Sequence, residues 1–317
     1  MANTKAIISG IDRIIVSVSS IKAALSFYVD ILGMEVVGCH SVDGTMTKQR
    51  WGLKSEIRGE SVFLRYSAQN TILELINFDS DSGPSIHSGF YRYEYGVYDI
   101  AFRVHNLDYI YNELKKKGFD FISPLITYTS FWTKEPRSIK EVLLVGPDHV
   151  PVALIEQRNQ CDAARGTNPV IITDVAQYIE DIDRAIYFYQ DILGLEKCFD
   201  EYVPNMTVQQ VIGLSPSTRI RIAMFRNPGK YTPVVEFIQL PLKTGYADSA
   251  SVPPGVGIFT ISFKTDNISH LQYKLTDAGY DILGGPLELT IHPHGKIEAI
   301  TARGPNKEIL EFYETRE

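Results

Sequence analysis

Hydrophobic and polar positions near the start of the chain predict a strand, a helix and then a group of strands. Residues 11–19 alternate and are rich in β-branched side chains, which is typical of a strand. Ser20 can cap the helical pattern that follows, and Gly33 ends it. Further strand patterns cover 34–41, 60–67 and 70–78. The first unit is therefore predicted to have the order βαβββ.

The same order then begins again. Residues 97–104 read as a strand, Asn106 is the predicted cap of the next helix, and Gly118 ends that helix. More strands follow, and they finish at 150–156. The later part of the chain repeats both units, with Asp181 and Asn267 as the predicted caps.

The repetition is a duplication of sequence as well as of pattern. Residues 26–35 read SFYVDILGME, and residues 187–196 read YFYQDILGLE. A repeat of this length indicates a duplicated domain and not a solenoid. The predicted division is a first domain at 1–157, a polar linker at 158–168 and a second domain at 169–317.

Single helices that alternate with strand groups suit a mixed sheet with helices on one face. We therefore predict an α+β fold in which tandem duplicated βαβββ units form two curved mixed β-sheet cups with the helices outside. Each half is expected to form its own cup for a small molecule.

The composition and charge of the chain exclude some classes of function. The chain has 317 residues, 44% of them hydrophobic and 22% charged, and its net charge is −7. This acidic balance argues against a nucleic-acid partner, and no apolar run is long enough to span a bilayer. Three cysteines without a CxxC motif, and no recognisable secretion signal, predict a cytoplasmic protein with free thiols. The expected partner is a small-molecule substrate or ligand, and the expected state is a monomer or homodimer.

Three segments resemble vicinal oxygen chelate proteins, which include glyoxalase I, bleomycin-resistance proteins and extradiol dioxygenases. These segments are IDRIIVSVSSIKAALSFYVDILGM, DIAFRVHNLDYIYNELKKKGF and GPNKEILEFYE. The resemblance covers nearly the whole chain and implies the cup fold. It does not fix the activity, because the family contains isomerases, lyases, dioxygenases, transferases and binding proteins.

The resemblance also implies a divalent metal in the cup, held by His, Gln or Glu from the first and last strand of each unit. In the first half these positions carry Arg13, Glu74, Asp99 and Ala153. This set does not suit a metal. The first half is therefore predicted to be metal-free, with Arg13 in an internal ion pair or a substrate clamp, and the ion pair is the preferred interpretation.

In the second half the same positions carry Asp174, Glu236, Thr260 and Glu311. If they converge, Asp174, Glu236 and Glu311 are predicted ligands of a divalent metal of unspecified identity, and Glu311 and Asp174 are predicted catalytic groups. A carboxylic acid with a raised pKa or a cationic substrate would also satisfy such a cluster. Asp174 and Thr260 replace the histidines of ring-cleaving dioxygenases, which disfavours that activity and the usual glyoxalase metal site.

Further candidates are predicted to contact the substrate. Aromatic residues in loops can wall a cup, and two histidines in the segment TIHPHGK could share one strand face, although a solvated turn is the preferred interpretation. The predicted substrate-binding residues are Arg13, Trp51, Asp99, Phe131, Trp132, Thr260, His292 and His294.

Two functions remain open at this stage. One is an isomerase, epimerase or lyase that acts on an oxygenated, possibly aromatic metabolite, with a carboxylate base or a divalent metal. The other is a metal-free protein that binds and sequesters a drug-like or aromatic natural product. A converging carboxylate site is required by the first function and not by the second.

Overall fold

The computed structural model describes most of the chain. The described residues are 7–80, 83, 85–87, 93–133, 135–158, 170–204, 207–231, 233–246 and 252–316. The predicted linker at 158–168 lies outside them except for its first residue. No helix in these ranges is long and apolar enough to cross a membrane.

Four βαβββ units follow one another along the described residues, as the sequence pattern predicts. The strands are β1 (Ile8–Ser17), β2 (Glu35–Val42), β3 (Gly59–Arg65), β4 (Ile72–Phe78), β5 (Gly96–Arg103), β6 (Ile126–Thr129), β7 (Ser138–Val145), β8 (Pro151–Arg158), β9 (Ile171–Ile179), β10 (Glu196–Tyr202), β11 (Arg221–Arg226), β12 (Val234–Gln239), β13 (Gly257–Thr265), β14 (Ile282–Ile291), β15 (Gly295–Arg303) and β16 (Ile309–Thr315). The helices are α1 (Ile21–Tyr28), α2 (Gly44–Trp51), α3 (Leu107–Lys116), α4 (Ile182–Ile186), which continues as a π-helical turn at Tyr187–Ile192, α5 (Val208–Val211) and α6 (Ile268–Asp277).

Three of the four predicted helix caps are confirmed. Ser20, Asp181 and Asn267 each accept a hydrogen bond from a backbone N–H in the first turn of the helix that follows. Asn106 precedes α3 as predicted, but its side chain makes no capping bond. Glu156 of β8 accepts a hydrogen bond from the Leu107 N–H instead, at 3.0 Å, because its side chain reaches the helix side of the sheet.

The sixteen strands form two curled, mixed sheets of eight strands each. One sheet has the order β14-β15-β16-β13-β1-β4-β3-β2, and the other has the order β10-β11-β12-β9-β5-β8-β7-β6. In each sheet two units meet through an antiparallel pair, β1 with β13 and β5 with β9. Within each unit the first and last strands are parallel neighbours.

The expectation that each half of the sequence forms its own cup is wrong. One sheet combines the first and last units of the chain, and we call its concave side the terminal cup. The other sheet combines the two middle units, and we call its concave side the central cup. Both halves of the sequence thus contribute to both cups. The division into domains at 1–157 and 169–317 describes the sequence repeat and stays a prediction.

The alternation of each strand assigns its side chains to the cup or to the helices. Val235, Phe237, Leu310 and Phe312 pack in the core cluster that contains the helices, as predicted. This cluster includes residues of both sheets and of all four units, so the two sheets share one core on their helix sides. The alternate residues of β12 and β16, including Glu236 and Glu311, are left to the cups.

Candidate active site

The interior of the terminal cup holds two arginines and two glutamates. Arg13 of β1, Glu74 of β4 and Glu311 of β16 are completely buried, and Arg50 of α2 is 6% exposed. Arg13 forms a salt bridge with Glu311 and another with Glu74, the latter at 3.2 Å. The Arg50 Nε lies 2.5 Å from the Glu311 Oε2. Two positive and two negative charges therefore neutralise one another inside this cup.

Hydroxyl groups complete the ionic cluster of the terminal cup. Ser61 donates a hydrogen bond to Glu74 at 2.9 Å, and Ser262 donates one to Glu311 at 3.1 Å. Thr260, a predicted substrate contact, lies buried in β13 of the same sheet, at the strand pairing with β1. These contacts favour an internal structural ion pair for Arg13 over a substrate clamp.

Helix α2 closes the terminal cup. It packs against β14, where glycines allow backbone to approach backbone: an added Cβ would lie 2.2 Å from the Leu283 oxygen at Gly52 and 2.2 Å from the Gln49 oxygen at Gly284. Trp51 at the end of α2 is 2% exposed and packs edge-on against Phe259. Trp51, predicted to bind substrate, is therefore part of the closed interior.

Glu311 is held in its ionised form. Burial by itself would raise the pKa of this carboxyl, but the Arg50 and Arg13 guanidinium groups outweigh burial and hold the pKa of Glu311 at about 2. A general base must have a free lone pair and a pKa near the working pH. The structure therefore gives Glu311 a structural part in the ion cluster in place of the predicted catalytic one.

The central cup contains carboxyl groups without cations. Four of the eight positions that the family resemblance marked lie in this cup. They are Asp99 of β5, Ala153 of β8, Asp174 of β9 and Glu236 of β12. Glu141 of β7 adds a fourth carboxyl group, since electrostatic repulsion links it to the other three. No Lys, Arg or His of the described residues forms a salt bridge with any of these four.

The pKa values of all four carboxyl groups are raised. Removal from water is the largest cause in each case, and repulsion by Asp174 further raises the pKa of Asp99, Glu141 and Glu236. Burial likewise raises the pKa of Asp174. The pKa of Glu141 is about 7, so this side chain can hold or release a proton near neutral pH.

Aromatic side chains surround the carboxyl groups of the central cup. Tyr128 of β6 donates a hydrogen bond to Glu141. Tyr98 and Tyr178 lie together with ring centroids 4.4 Å apart. The ring centroids of Phe131 and Trp132 are 4.8 Å apart. Both side chains pack against the hydrophobic cluster that contains these three tyrosines. Phe131 and Trp132, which are predicted substrate contacts, thus lie at the central cup.

His292 and His294 lie at the rim of the terminal sheet, in the turn between β14 and β15. The His292 ring packs near Phe63, with centroids 5.7 Å apart. His294 lies 2.9 Å from the Asp12 carboxylate and 3.2 Å from the Tyr313 hydroxyl. Neither histidine contacts the carboxyl groups of the central cup, and the turn that holds them agrees with the preferred interpretation of this segment. Their contact with a substrate stays a prediction.

The predicted metal site is divided between the two sheets. Asp174 and Glu236 belong to the central cup, whereas Glu311 belongs to the terminal cup and is neutralised by arginines. Carboxylate oxygens suit a hard divalent cation, which binds its ligands within about 2.0–2.6 Å. In the part of the chain that the structure describes, however, no three His, Cys, Asp or Glu side chains are grouped so that they could hold one ion. As arranged, the central carboxyl groups therefore do not fit a metal.

Sequence reasoning missed Glu141, Tyr128 and Arg50. Glu141 had a detectable signal, because it is a single charge on the face of β7 that also presents Ile139 and Leu143. Arg50 had none, since it lies in a short polar segment whose contacts come from β16, far away in the sequence. Tyr128 becomes notable only through its bond to Glu141.

Comparison with known proteins identifies the family. The family model of the glyoxalase/bleomycin resistance protein/dioxygenase superfamily matches residues 10–131 and 171–312. The chain belongs to this superfamily. The resemblance inferred from the sequence motifs is thereby confirmed. A search of curated protein sequences finds no match.

Solved structures of the superfamily fold resemble the whole chain. Glyoxalase I from Zea mays is 15% identical, with 96% of this chain and 92% of that chain covered and a TM-score of 0.65. A putative dioxygenase from Bacillus subtilis is 13% identical, with 99% and 86% covered and a TM-score of 0.59. At such identities the likeness shows the shared fold, and the reaction must be argued from the site.

Proposed function

We propose that the central cup is the active site of an enzyme that moves a proton on a small oxygenated metabolite, as an isomerase or epimerase does. The superfamily fold supports a small-molecule cup. The observation that carries the proposal is the group of four carboxyl groups with raised pKa values and no cationic partner. Enzymes commonly shift carboxyl groups in this way when they serve as acids and bases near neutral pH.

Two of these groups have suitable complementary roles. Ionised Asp174 would take a proton from a carbon next to a carbonyl group, and the electron pair would move to the carbonyl oxygen. Protonated Glu141, held by Tyr128, would donate its proton to that oxygen. Return of the proton from Asp174 to the other face of the same carbon, and of the oxygen proton to Glu141, gives the epimer and restores the enzyme. In an α-hydroxy carbonyl compound, delivery of the proton from Asp174 to the former carbonyl carbon, with loss of the proton of the adjacent hydroxyl group to Glu141, gives the isomer. Repulsion by ionised Asp174 would keep Glu141 protonated.

A second candidate function is a binding protein for an aromatic compound. The aromatic pairs at the central cup favour it, since the rings of Phe131 and Trp132 present a large apolar surface. Such a protein would need the aromatic walls but no proton transfer. The two functions therefore differ in whether the cup exchanges substrate protons with solvent.

Solvent deuterium exchange separates these functions. The protein is incubated in D₂O with a panel of small α-hydroxy and β-keto carbonyl compounds, and C–H exchange is followed by proton NMR. We expect exchange in at least one compound, and a decrease of roughly 10²–10⁴-fold in Asp174→Asn because a general base is lost. Asp30→Asn, which removes an exposed carboxylate, should keep the full rate.

Two results would contradict the proposed enzyme. One is the absence of exchange with every carbonyl compound when the same compounds bind. The other is an unchanged exchange rate in folded Asp174→Asn. Either result would leave the binding function as the better account of the central cup.

A further inference from the structure

The carboxyl groups of the central cup have no cationic partner in the described residues. The groups that influence the pKa values of Asp99, Glu141, Asp174 and Glu236 include other carboxyl groups, hydroxyl groups and a backbone N–H, but no Lys, Arg or His. The terminal cup places two arginines at its two glutamates. An ionised carboxyl group in a buried site is normally paired, so a positive partner from outside the protein would allow these groups to ionise.

Asp99 carries an unused hydrogen-bond acceptor inside the cup. This residue is only 6% exposed, and its Oδ1 atom has no hydrogen-bond partner. The Ala176 backbone lowers the pKa of the Asp99 carboxyl, whereas burial and the neighbouring carboxyl groups raise it. A buried polar atom without a partner is uncommon in a native protein. It is explained if a ligand donates to it.

The floor between the carboxyl groups is made of alanines. Ala101 is paired with Ala153 on one side and with Asp174 on the other, and Ala176 is paired with Asp99 and Glu236. At the corresponding positions the terminal cup has Ser262, Glu311 and Ile15. The alanine side chains offer no charge and no hydrogen-bond donor to the carboxyl groups beside them.

Aromatic side chains pack in the same hydrophobic cluster as these alanines. Tyr98 and Tyr178 pack at 4.4 Å between ring centroids, and Tyr128 and Trp132 pack at 6.2 Å. The face of an aromatic ring carries negative electrostatic potential and attracts organic cations. The rings and the carboxyl groups thus favour the same type of ligand.

We propose that the ligand of the central cup carries a protonated amine or amidine on a small planar body. A metal ion needs its ligands within one coordination sphere, which the described carboxyl groups do not provide. An ammonium or amidinium group donates several hydrogen bonds in different directions and can serve carboxylates that lie further apart. This inference rests on the assignment of the central cup as the functional site and specifies its substrate class.

The test uses three phenols that differ in the charge of the side chain. Tyramine is cationic, tyrosol is the neutral hydroxyl analogue, and 4-hydroxyphenylacetate is anionic. Isothermal titration calorimetry at pH 7.5 should show tyramine binding at least tenfold more tightly than tyrosol, with no heat from 4-hydroxyphenylacetate. Benzamidine, a planar amidinium, should also bind, and benzamide, its neutral analogue, should bind at least tenfold more weakly.

Variants assign the selectivity to the cup. Asp99→Asn should weaken tyramine binding at least tenfold and leave the affinity for tyrosol unchanged, because only the cation uses the charge. Asp30→Asn is the matched control and should bind like the wild type. Equal binding of tyramine and tyrosol, or no binding of either cation at millimolar concentration, overturns the proposal. So does stoichiometric binding of Mn²⁺ that neither tyramine nor benzamidine displaces.

The outcomes of this test are independent of the exchange experiment. Cation selectivity that depends on Asp99, without proton exchange in any carbonyl compound, would retain the ligand class and overturn the proposed enzyme. Exchange that depends on Asp174 but occurs only in uncharged compounds, without cation binding, would retain the enzyme and overturn the ligand class.

Discussion

The terminal and central cups have the same strand order, but they differ in what surrounds their buried carboxyl groups. In the terminal cup, Arg13 and Arg50 neutralise Glu74 and Glu311. In the central cup, Asp174 stands where Arg13 stands in the terminal cup, so the corresponding position repels its neighbours. The comparison teaches that an arginine or an aspartate at this position of the first strand changes whether the neighbouring carboxyl groups are neutralised or repelled.

The segments between the second and third strands add to this difference. Helix α2 brings Arg50 and Trp51 into the terminal cup and packs closely on β14. The equivalent α5 is a single turn, and it brings Val211 and Ile212 to the central cup without a charge. Apolar cover preserves the low dielectric environment that raises the carboxyl pKa values, whereas a guanidinium would lower them.

Breaking the ion cluster of the terminal cup should have the largest effect. Arg13→Met leaves Glu74 and Glu311 buried with a single arginine, and we expect a loss of about 3–5 kcal/mol in the free energy of unfolding. Urea unfolding measures it. Arg316→Met, which removes an arginine with 42% of its side chain exposed, should change stability by no more than about 1 kcal/mol. If both substitutions changed the free energy of unfolding equally, the ion cluster would not contribute to stability more than an exposed ion pair does.

The central cup should instead make the protein less stable as the pH rises. The pKa of Glu141 is raised by burial from its ordinary 4.5 to about 7 in the folded protein. The folded state therefore keeps a proton that the unfolded state releases, and stability present below pH 4.5 is lost as the pH rises through about 7. Repulsion from Asp174 acts in the same direction.

Glu141→Gln removes this dependence while its amide oxygen can still accept the Tyr128 hydrogen bond. Relative to the wild type, the variant should gain stability between pH 5 and pH 8, by up to roughly 3 kcal/mol. Urea unfolding at the two pH values measures the gain. Glu60→Gln, at an exposed position of β3, is the control and should show no such gain. A parallel pH dependence of wild type and Glu141→Gln would contradict the raised pKa.

Metal removal should have the smallest effect. Since neither cup groups three suitable ligands among the described residues, treatment with EDTA should shift the melting temperature by less than about 2 °C. Elemental mass spectrometry should find well under one divalent ion per chain. A stoichiometric ion whose removal lowers the melting temperature would show that the central carboxyl groups can converge on a metal.

The sequence could predict most of the residues that lie in the two cups. The family resemblance, carried along the chain by register, marked Arg13, Glu74, Asp99, Ala153, Asp174, Glu236, Thr260 and Glu311 as cup positions. Glu156 lies on the helix side of β8, where it accepts the hydrogen bond from α3. What failed was the grouping of these positions into sites, because Glu311 was assigned to the cup of Asp174.

The sequence by itself determined the four βαβββ units, the two faces of each strand and the superfamily, because strand alternation and helix capping are local properties of the chain. Only the tertiary structure decided which units share a sheet. The first strand of each unit is parallel to its own last strand and leaves its other edge to any partner unit, so local pattern is the same for either pairing. The antiparallel pairs β1–β13 and β5–β9 make that choice. They bring Glu311 to two arginines and leave Asp174 among carboxyl groups.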